Sequence, residues 1–400
     1  MTETLNPTKR LISLDALRGF TIAAMVIVND PGSWSSVYDP LLHANWNGVT
    51  PTDLIFPFFL FMVGVSITLA YEKRKQQGAS KPDMYKKILS RAVKIMLLGW
   101  FLWLWPDFSF EGMRYAGVLP RISLVFLACA VLFLNTNWKQ QFWIGGGILL
   151  LYWMLFEWIP VPVDDVIQSA LDTGTVQRSG GGIVELGEIE RLSEGTIAAN
   201  YQPGINIAAW FDRKVLPGRF WEVTWDPEGL LSTLPAIVTG IIGMLIGRLV
   251  LKVQNEWEKL TWIFFAGFAM YLLAEAWSWS MPLNKNLWTS SYTLWTAGMA
   301  TMGLAACMLV VDLLGYTKWT GLGRVYGANA ITSYVLAGML TIIFYSDAVL
   351  GFAPNRAFMD GMTSIGMSAK LASFLYAIIY MLIIYIPALI LYRKKIFIKV

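Results

Sequence analysis

DLIFPFFLFMVGVSITLAYE, residues 53–72, carries no charge between its two flanking acids. A helix needs about 20 apolar residues to cross the hydrocarbon core of a bilayer, and this run supplies them. Nine further runs of the same kind lie at approximately 11–30, 88–105, 117–135, 141–159, 231–251, 260–280, 291–314, 327–346 and 371–392. In lipid every backbone N–H and C=O must be satisfied within the segment, so runs of this length predict helices and not strands. The composition agrees: 56% of residues are hydrophobic and only 14% charged, against about 25% charged in a soluble domain. The expected fold is an all-α polytopic membrane protein of about ten transmembrane helices, forming a single domain over residues 1–400. The opening MTETLNPTKR has no short apolar core ahead of a small-residue cleavage site, so the first run is expected to be a retained span.

Lysine and arginine in the loops set the expected orientation. With the N-terminus in the cytoplasm, 21 of the 31 basic residues fall on that side, including the dense cluster between Lys73 and Lys94 and the tail from Arg393. Both termini are then cytoplasmic. The net charge of +4 needs no nucleic acid to explain it. One connection, residues 160–230, is long and rich in Trp, Phe and Pro, which predicts a structured extracytoplasmic loop and not a disordered linker.

The residues just before the quoted run hold the only histidine of the chain, His43, in HANWNG. This loop, Asn29-Asp30 at the end of the first span, and Thr50-Pro51-Thr52-Asp53 meet at one membrane face. Proline after Thr50 and the Thr-x-Asp sequence suit a capped helix start. Imidazole is the side chain suited to accept a proton near neutral pH, and a nearby Asp or Asn can fix its tautomer. Trp46 and Asn47 offer a sugar an indole face and an amide. Equally, His43, Trp34 and Trp46 read as an interfacial aromatic belt.

Further polar segments interrupt the apolar pattern. Asp15 and Arg18 lie three apart on one face of the first span, as an ion pair or as partners for a phosphorylated ligand. RYAGVLPRISL opens the fourth span with Arg114 and Arg121. DPEGLLSTLPA opens the sixth with Asp226 and Glu228, and PLNKNLWTSSYTLWTAG precedes the eighth with Asn284, Lys285, Asn286 and Trp288. Helix capping explains the first two as well as function does. Cys129 and Cys307 both lie in apolar runs and read as small buried hydrophobes, so neither a disulfide framework nor a metal site is expected.

Taken in order, RLISLDALRGFTIAAMVIVND, HANWNGVTPTDLIFPFFLFMVGVSI, RYAGVLPRISL, DPEGLLSTLPAIVTGIIGMLIG, PLNKNLWTSSYTLWTAGM and GANAITSYVLAG resemble the heparan-α-glucosaminide N-acetyltransferase family and its bacterial NagX-like relatives. The likeness covers nearly the whole chain, and His-Ala-x-Trp-Asn-Gly is its most specific motif. The chain departs in a longer stretch between Asn29 and His43 and in reading LPRIS where the family has LQRI, and it is expected to lack the large N-terminal lumenal extension of the animal enzyme.

The resemblance implies an acetyl-CoA-dependent transmembrane acyltransferase without a metal. It would move acetyl from cytoplasmic acetyl-CoA to the amine of glucosamine, or of a terminal glucosamine residue, on the other side. His43 matches the catalytic histidine, as base or acetyl carrier, and Asn29 matches an asparagine near it. Arg10, Arg18, Arg91, Arg121 and Arg324 are the arginines assigned to the CoA. Trp46, Asn47, Asp53, Glu228, Asn284, Lys285, Asn286 and Trp288 are assigned to the amino sugar. The setting implied is a bacterial inner membrane, with lipid and an amino-sugar acceptor as partners, and a homodimer as one form of assembly. Two other readings fit the same pattern: a sugar or glycan transporter or flippase, and an O-acyltransferase of the same plan.

Overall fold

The computed structural model describes residues 11–192 and 195–398. Among them fourteen α-helices carry the fold: α1 (Ile12–Asn29), α2 (Ile55–Gln76), α3 (Lys81–Leu104), α4 (Val118–Asn135), α5 (Trp138–Trp158), α6 (Asp165–Thr173), α7 (Ile207–Val215), α8 (Thr233–Lys252), α9 (Glu256–Trp277), α10 (Ser290–Cys307), α11 (Gly321–Ala328), α12 (Ala330–Phe344), α13 (Pro354–Ser364) and α14 (Ala369–Arg393). Four short strands pair as two antiparallel ribbons, β1 (Val161–Pro162) with β4 (Thr196–Ile197), and β2 (Thr175–Gln177) with β3 (Ile183–Glu185). The protein is an all-α integral membrane protein, as the sequence predicts.

All ten expected spans fall on helices, but the number able to cross unaided is smaller. Seven are long and apolar enough, or eight if the pair α11–α12, bent by 75° at Asn329, counts as one span. The two that fall short are α3 and α5. The first fourteen residues of α3 include Lys81, Lys86, Lys87, Arg91 and Lys94, and the first turn of α5 holds Lys139, Gln140 and Gln141. In α3 these charges belong to a face that serves a polar cavity described below.

Local chemistry explains several helix ends. Asn137 and Gln140 close α5 with a reciprocal capping box. At α1 the cap comes from far along the chain. Leu11 has no capping side chain, and Asp312 supplies it instead, accepting from the N–H groups of Ile12 (3.1 Å) and Ser13 (3.3 Å) and from the Ser13 hydroxyl. The start of α1 is thereby tied to the helical segment that continues α10.

Residues 160–230 form a folded cap. Its Ile167, Ile197, Ile205 and Trp225 pack with Tyr152 and Phe156 of α5 and with Met281 and Leu287 into one buried cluster. Arg213 holds this cap to itself through Asp164 (2.8 Å) and the carbonyls of Gly204 and Thr224.

Helix α2 packs most closely on α8. A methyl group at Gly64 would collide with the carbonyl oxygen of Gly240, and one at Gly243 with that of Phe61. Small residues at such a seam let two helix backbones touch, which is how helices associate where no hydrophobic force separates them from lipid. Gly64→Ala is therefore expected to destabilise the fold by about 1–3 kcal/mol through overpacking. A lower thermal midpoint of the detergent-solubilised protein checks this; an unchanged midpoint would refute the seam.

Candidate active site

The site is built around Asp53. Residues Pro51–Leu54 make a 3-10 turn that leads into α2, with Thr50 and Asp53 forming a capping box. The Asp53 side chain has no exposed surface. Its Oδ2 accepts from the N–H of Thr50 (2.9 Å), the Thr50 hydroxyl (3.0 Å) and the N–H of Ala44 (3.1 Å). Its Oδ1 stands 2.6 Å from Nδ1 of His43. One buried carboxylate thus caps α2, closes the 42–50 loop and orients the imidazole. The carboxylate only accepts, so Nδ1 carries the proton and Nε2 presents its lone pair. The ring is 48% exposed.

Lys285 meets that lone pair, with Nζ 3.1 Å from Nε2. The turn that carries it is tightly specified. Asn284 Oδ1 accepts from the N–H of Leu287, Thr289 Oγ1 accepts from the N–H of Asn284, and Trp288 takes a left-handed φ of 50°. Two bonds stitch this turn to the histidine loop: Asn284 Nδ2 donates to Asn47 Oδ1 (3.0 Å), and the N–H of Gly48 donates to the Leu283 carbonyl (2.8 Å). Tyr292 adds a third link by donating to the Asp53 carbonyl (2.6 Å).

Behind Lys285 lies a charged cluster. Arg114 grips Asp226 with two bonds (2.7 and 2.5 Å) and Glu228 with a third (2.6 Å). Burial alone would raise the Glu228 carboxyl, but Arg114, Lys285 and Arg121 outweigh it and hold it below the usual carboxylate range. Burial pulls the Lys285 ammonium down, against the attraction of Glu228 and Asp53. A row of polar and charged groups therefore runs Asp53, His43, Lys285, Glu228, Arg114.

A cavity of about 1060 Å³ opens at the other end of the bundle. Its mouth is lined by Arg18, Arg74, Lys86, Lys87, Arg91 and Lys94, with Asp83 the one acid among the lining residues. Its inner wall is apolar, with Phe59, Val63, Ile95 and Ile122. Along α2 it extends from Arg74 to Phe59, fifteen residues or about 22 Å of helix, and Asp53 lies six residues further, about 9 Å. Arg91 lies 4.8 Å over the Phe126 ring. Arg18 donates to the Gly327 carbonyl (2.7 Å) and to Asp15 (2.9 Å).

The structure gathers His43, Asp53, Asn47, Asn284, Lys285 and Glu228 into one network. Asn286 is half-buried on the same turn, and Asn29 is exposed at the last position of α1, at the same end of the bundle. Trp46 donates to the Tyr201 carbonyl (2.7 Å) and packs edge-on against Trp225, which pins the histidine loop to the cap. Trp288 is wholly buried against Phe56 and Tyr292, so its indole shapes the turn and leaves no open face. Of the arginines assigned to CoA, Arg18 and Arg91 line the basic cavity. Arg121 is buried at the His43 end, bonded to the Gly229 carbonyl (2.9 Å) and Ser232 and stacked 5.1 Å from Trp288. Arg324 is absent from the cavity lining. Arg10 lies outside the described residues. Sequence reading missed Arg74, Lys86, Lys87 and Lys94 as cavity residues, although their density was the signal.

These features define an integral membrane protein with an aspartate-oriented histidine at one end and a basic, inward-running cavity at the other. Residues 10–163 match the family model described as heparan-alpha-glucosaminide N-acetyltransferase, catalytic. Heparan-alpha-glucosaminide N-acetyltransferase of Homo sapiens is 28% identical over 98% of this chain and 60% of its own length. That of Mus musculus is 28% identical over 82% of this chain and 53% of its own. The chain thus spans between about half and three fifths of the length of these curated relatives. With the motifs, the matches make the chain similar to the heparan-alpha-glucosaminide N-acetyltransferases over most of its length.

Asp53→Ala should strand buried donors from His43, Ala44 and Thr50, at a cost of about 1–3 kcal/mol for each group left unpaired. Faster proteolysis within residues 42–50 and a lower thermal midpoint are expected. An unaltered cleavage pattern would show that the loop does not depend on Asp53.

Proposed function

We propose that this protein is a transmembrane N-acetyltransferase. It takes acetyl from acetyl-CoA on the cytoplasmic side and gives it to the amine of glucosamine, or of a terminal glucosamine residue, on the other side of a bacterial inner membrane. One observation carries the reading. A nucleotide-sized basic cavity continues between apolar side chains that stop about two helical turns short of an Asp–His pair. Acetyl-CoA is too charged to cross about 30 Å of hydrocarbon. Its phosphates would stay with Arg18, Arg74, Arg91 and their neighbours while the thin pantetheine arm reaches inward.

The chemistry follows from the proton positions. Nδ1–H is committed to Asp53, so Nε2 is the atom that acts. It removes a proton from the acceptor ammonium, and the freed amine attacks the thioester carbonyl. The C–S bond breaks and CoA thiolate leaves. Alternatively Nε2 attacks first and carries the acetyl group to the amine. The Lys285 ammonium, 3.1 Å from Nε2, stands where positive charge stabilises a developing oxyanion, with Asn29 as a further donor. Asn47, Asn284, Asn286 and Glu228 offer hydrogen bonds to sugar hydroxyls.

Mass analysis of glucosamine incubated with the purified protein and labelled acetyl-CoA tests the activity itself. A transporter or flippase would release no CoA, and an O-acyltransferase would acetylate glucose as readily.

Three expectations follow for variants. His43→Ala should fold and lose about 10²–10⁴-fold in transfer if the histidine is a general base, and more if it carries the acetyl group; retained activity would refute both. Arg91→Ala should raise KM for acetyl-CoA and leave KM for glucosamine in place, whereas the opposite split would move Arg91 out of the donor site. Cysteine at Glu190 should react with an impermeant reagent from outside intact cells while cysteine at Gln77 stays protected. The reverse pattern would overturn the two-sided mechanism.

A further inference from the structure

Asp30 follows the last residue of α1 and has 9% of its surface exposed. Its backbone is satisfied: its N–H donates to the Val26 carbonyl (3.1 Å), and its C=O accepts from the Tyr345 hydroxyl (2.6 Å). Its carboxylate is not. Among the described residues no hydrogen bond or ion pair reaches it. Burying such a group without a partner is costly. The end of a helix makes it worse, because the C-terminal dipole adds negative charge.

The surroundings are tyrosines. Tyr345, Tyr376 and Tyr380 interlock edge-to-face, with Tyr345 centred 5.6 Å from each of the others. All three lie within electrostatic reach of Asp30. Their hydroxyls are spent elsewhere, since Tyr376 donates to the Phe344 carbonyl (2.8 Å) and Tyr380 to that of Ala337 (2.5 Å). Tyr334 lies within electrostatic reach of both Asp30 and Glu228, and so links the tyrosine cluster to the charged row of the active site. Arg114 is the cation sensed from that side, and it is already held by Asp226 and Glu228.

We propose that Asp30 is the residue that recognises the ammonium group of the acceptor, with Tyr334, Tyr345, Tyr376 and Tyr380 as its aromatic wall. The assignment rests on the acetyl-transfer reading above and adds to it a basis for choosing an amino sugar over a neutral one. A lone buried carboxylate among tyrosine rings suits an organic ammonium, which gains from the charge and, where it meets a ring face, from the π-system. Burial pushes the Asp30 carboxyl up to about 8, so the empty site is largely uncharged at neutral pH and costs less to keep. An arriving ammonium favours the carboxylate, and the carboxyl proton passes to water.

The test compares glucosamine with glucose, which differ at the 2-position, on the detergent-purified full chain. Wild type is expected to bind glucosamine more tightly. Asp30→Asn, which keeps the shape and removes the charge, should weaken glucosamine binding about 10–100-fold, the loss expected for one charge-assisted contact, and leave glucose binding unchanged. In turnover its KM for glucosamine should rise while KM for acetyl-CoA and kcat at saturation hold. Asp30→Ser is the second variant and should lose the preference in the same way. If either variant keeps the wild-type preference for glucosamine, the assignment is wrong while the acetyl-transfer reading stands. If wild type binds neither sugar and transfers no acetyl group, that reading fails and takes this one with it.

Discussion

The carboxylate of Asp53 is the constraint on which the functional end of the molecule depends. Sealed from solvent, it must be served, and it is served by three donors from the backbone and side chain of its own loop and a fourth from His43. The donors come from His43, Ala44 and Thr50, near the two ends of the loop, so one buried charge fixes a segment that has no regular structure of its own. Its backbone carbonyl is occupied too, by Tyr292 of α10. A buried anion held this way is poor evidence for net stability. It is good evidence for geometry, because any loop conformation that abandons it leaves an uncompensated charge. The histidine is therefore a positioned group despite sitting in a loop with half its ring in solvent.

The two ends of the bundle are built from different materials for a physical reason. At the His43 end, several charges are set against opposite ones: Arg114 with Asp226 and Glu228, and Lys285 between Glu228 and His43. Such a network presents little net charge and suits a small polar guest. At the other end the cavity residues are almost all of one sign. Like charges kept together repel and persist only where an anion or solvent screens them. The rings of Phe126 and Tyr71, under Arg91 and Arg74, supply part of that relief.

Much of this was legible in the sequence because hydrophobic length is a strong local signal. All ten predicted runs became helices, and the polar clusters at Asp30, His43, Asp53, Glu228 and Lys285 do share one end. What the sequence could not yield was the partner of each group. Residues 73–94 read as a topology signal, since nothing local says that Lys86, Lys87, Arg91 and Lys94 turn toward Arg74 and not toward water. The same tertiary fact explains why α3 is too polar to count as a span by composition. Trp288 reads as a sugar platform because aromatic residues near amides often are, and its burial depends on Tyr292, four residues on, and on Phe56, which is distant in sequence. Arg121 looked like a phosphate partner, but the start of α8 claims it through Gly229 and Ser232.

The bend between α11 and α12 has an electrical consequence. Stopping α11 at Ala328 brings a helix C-terminus to the rim of the basic cavity, and such an end carries a partial negative charge of roughly half an electron. Left bare, the Gly327 carbonyl would turn part of the rim against any phosphate. Two donors of the Arg18 guanidinium, Nε and Nη2, cover that oxygen at 3.1 and 2.7 Å. Arg18 thus acts as an electrostatic shield as well as a cation. A lysine there would keep the charge but lose the flat fork that covers the carbonyl from two sides, which makes arginine at this position a requirement of the backbone before it is one of any ligand.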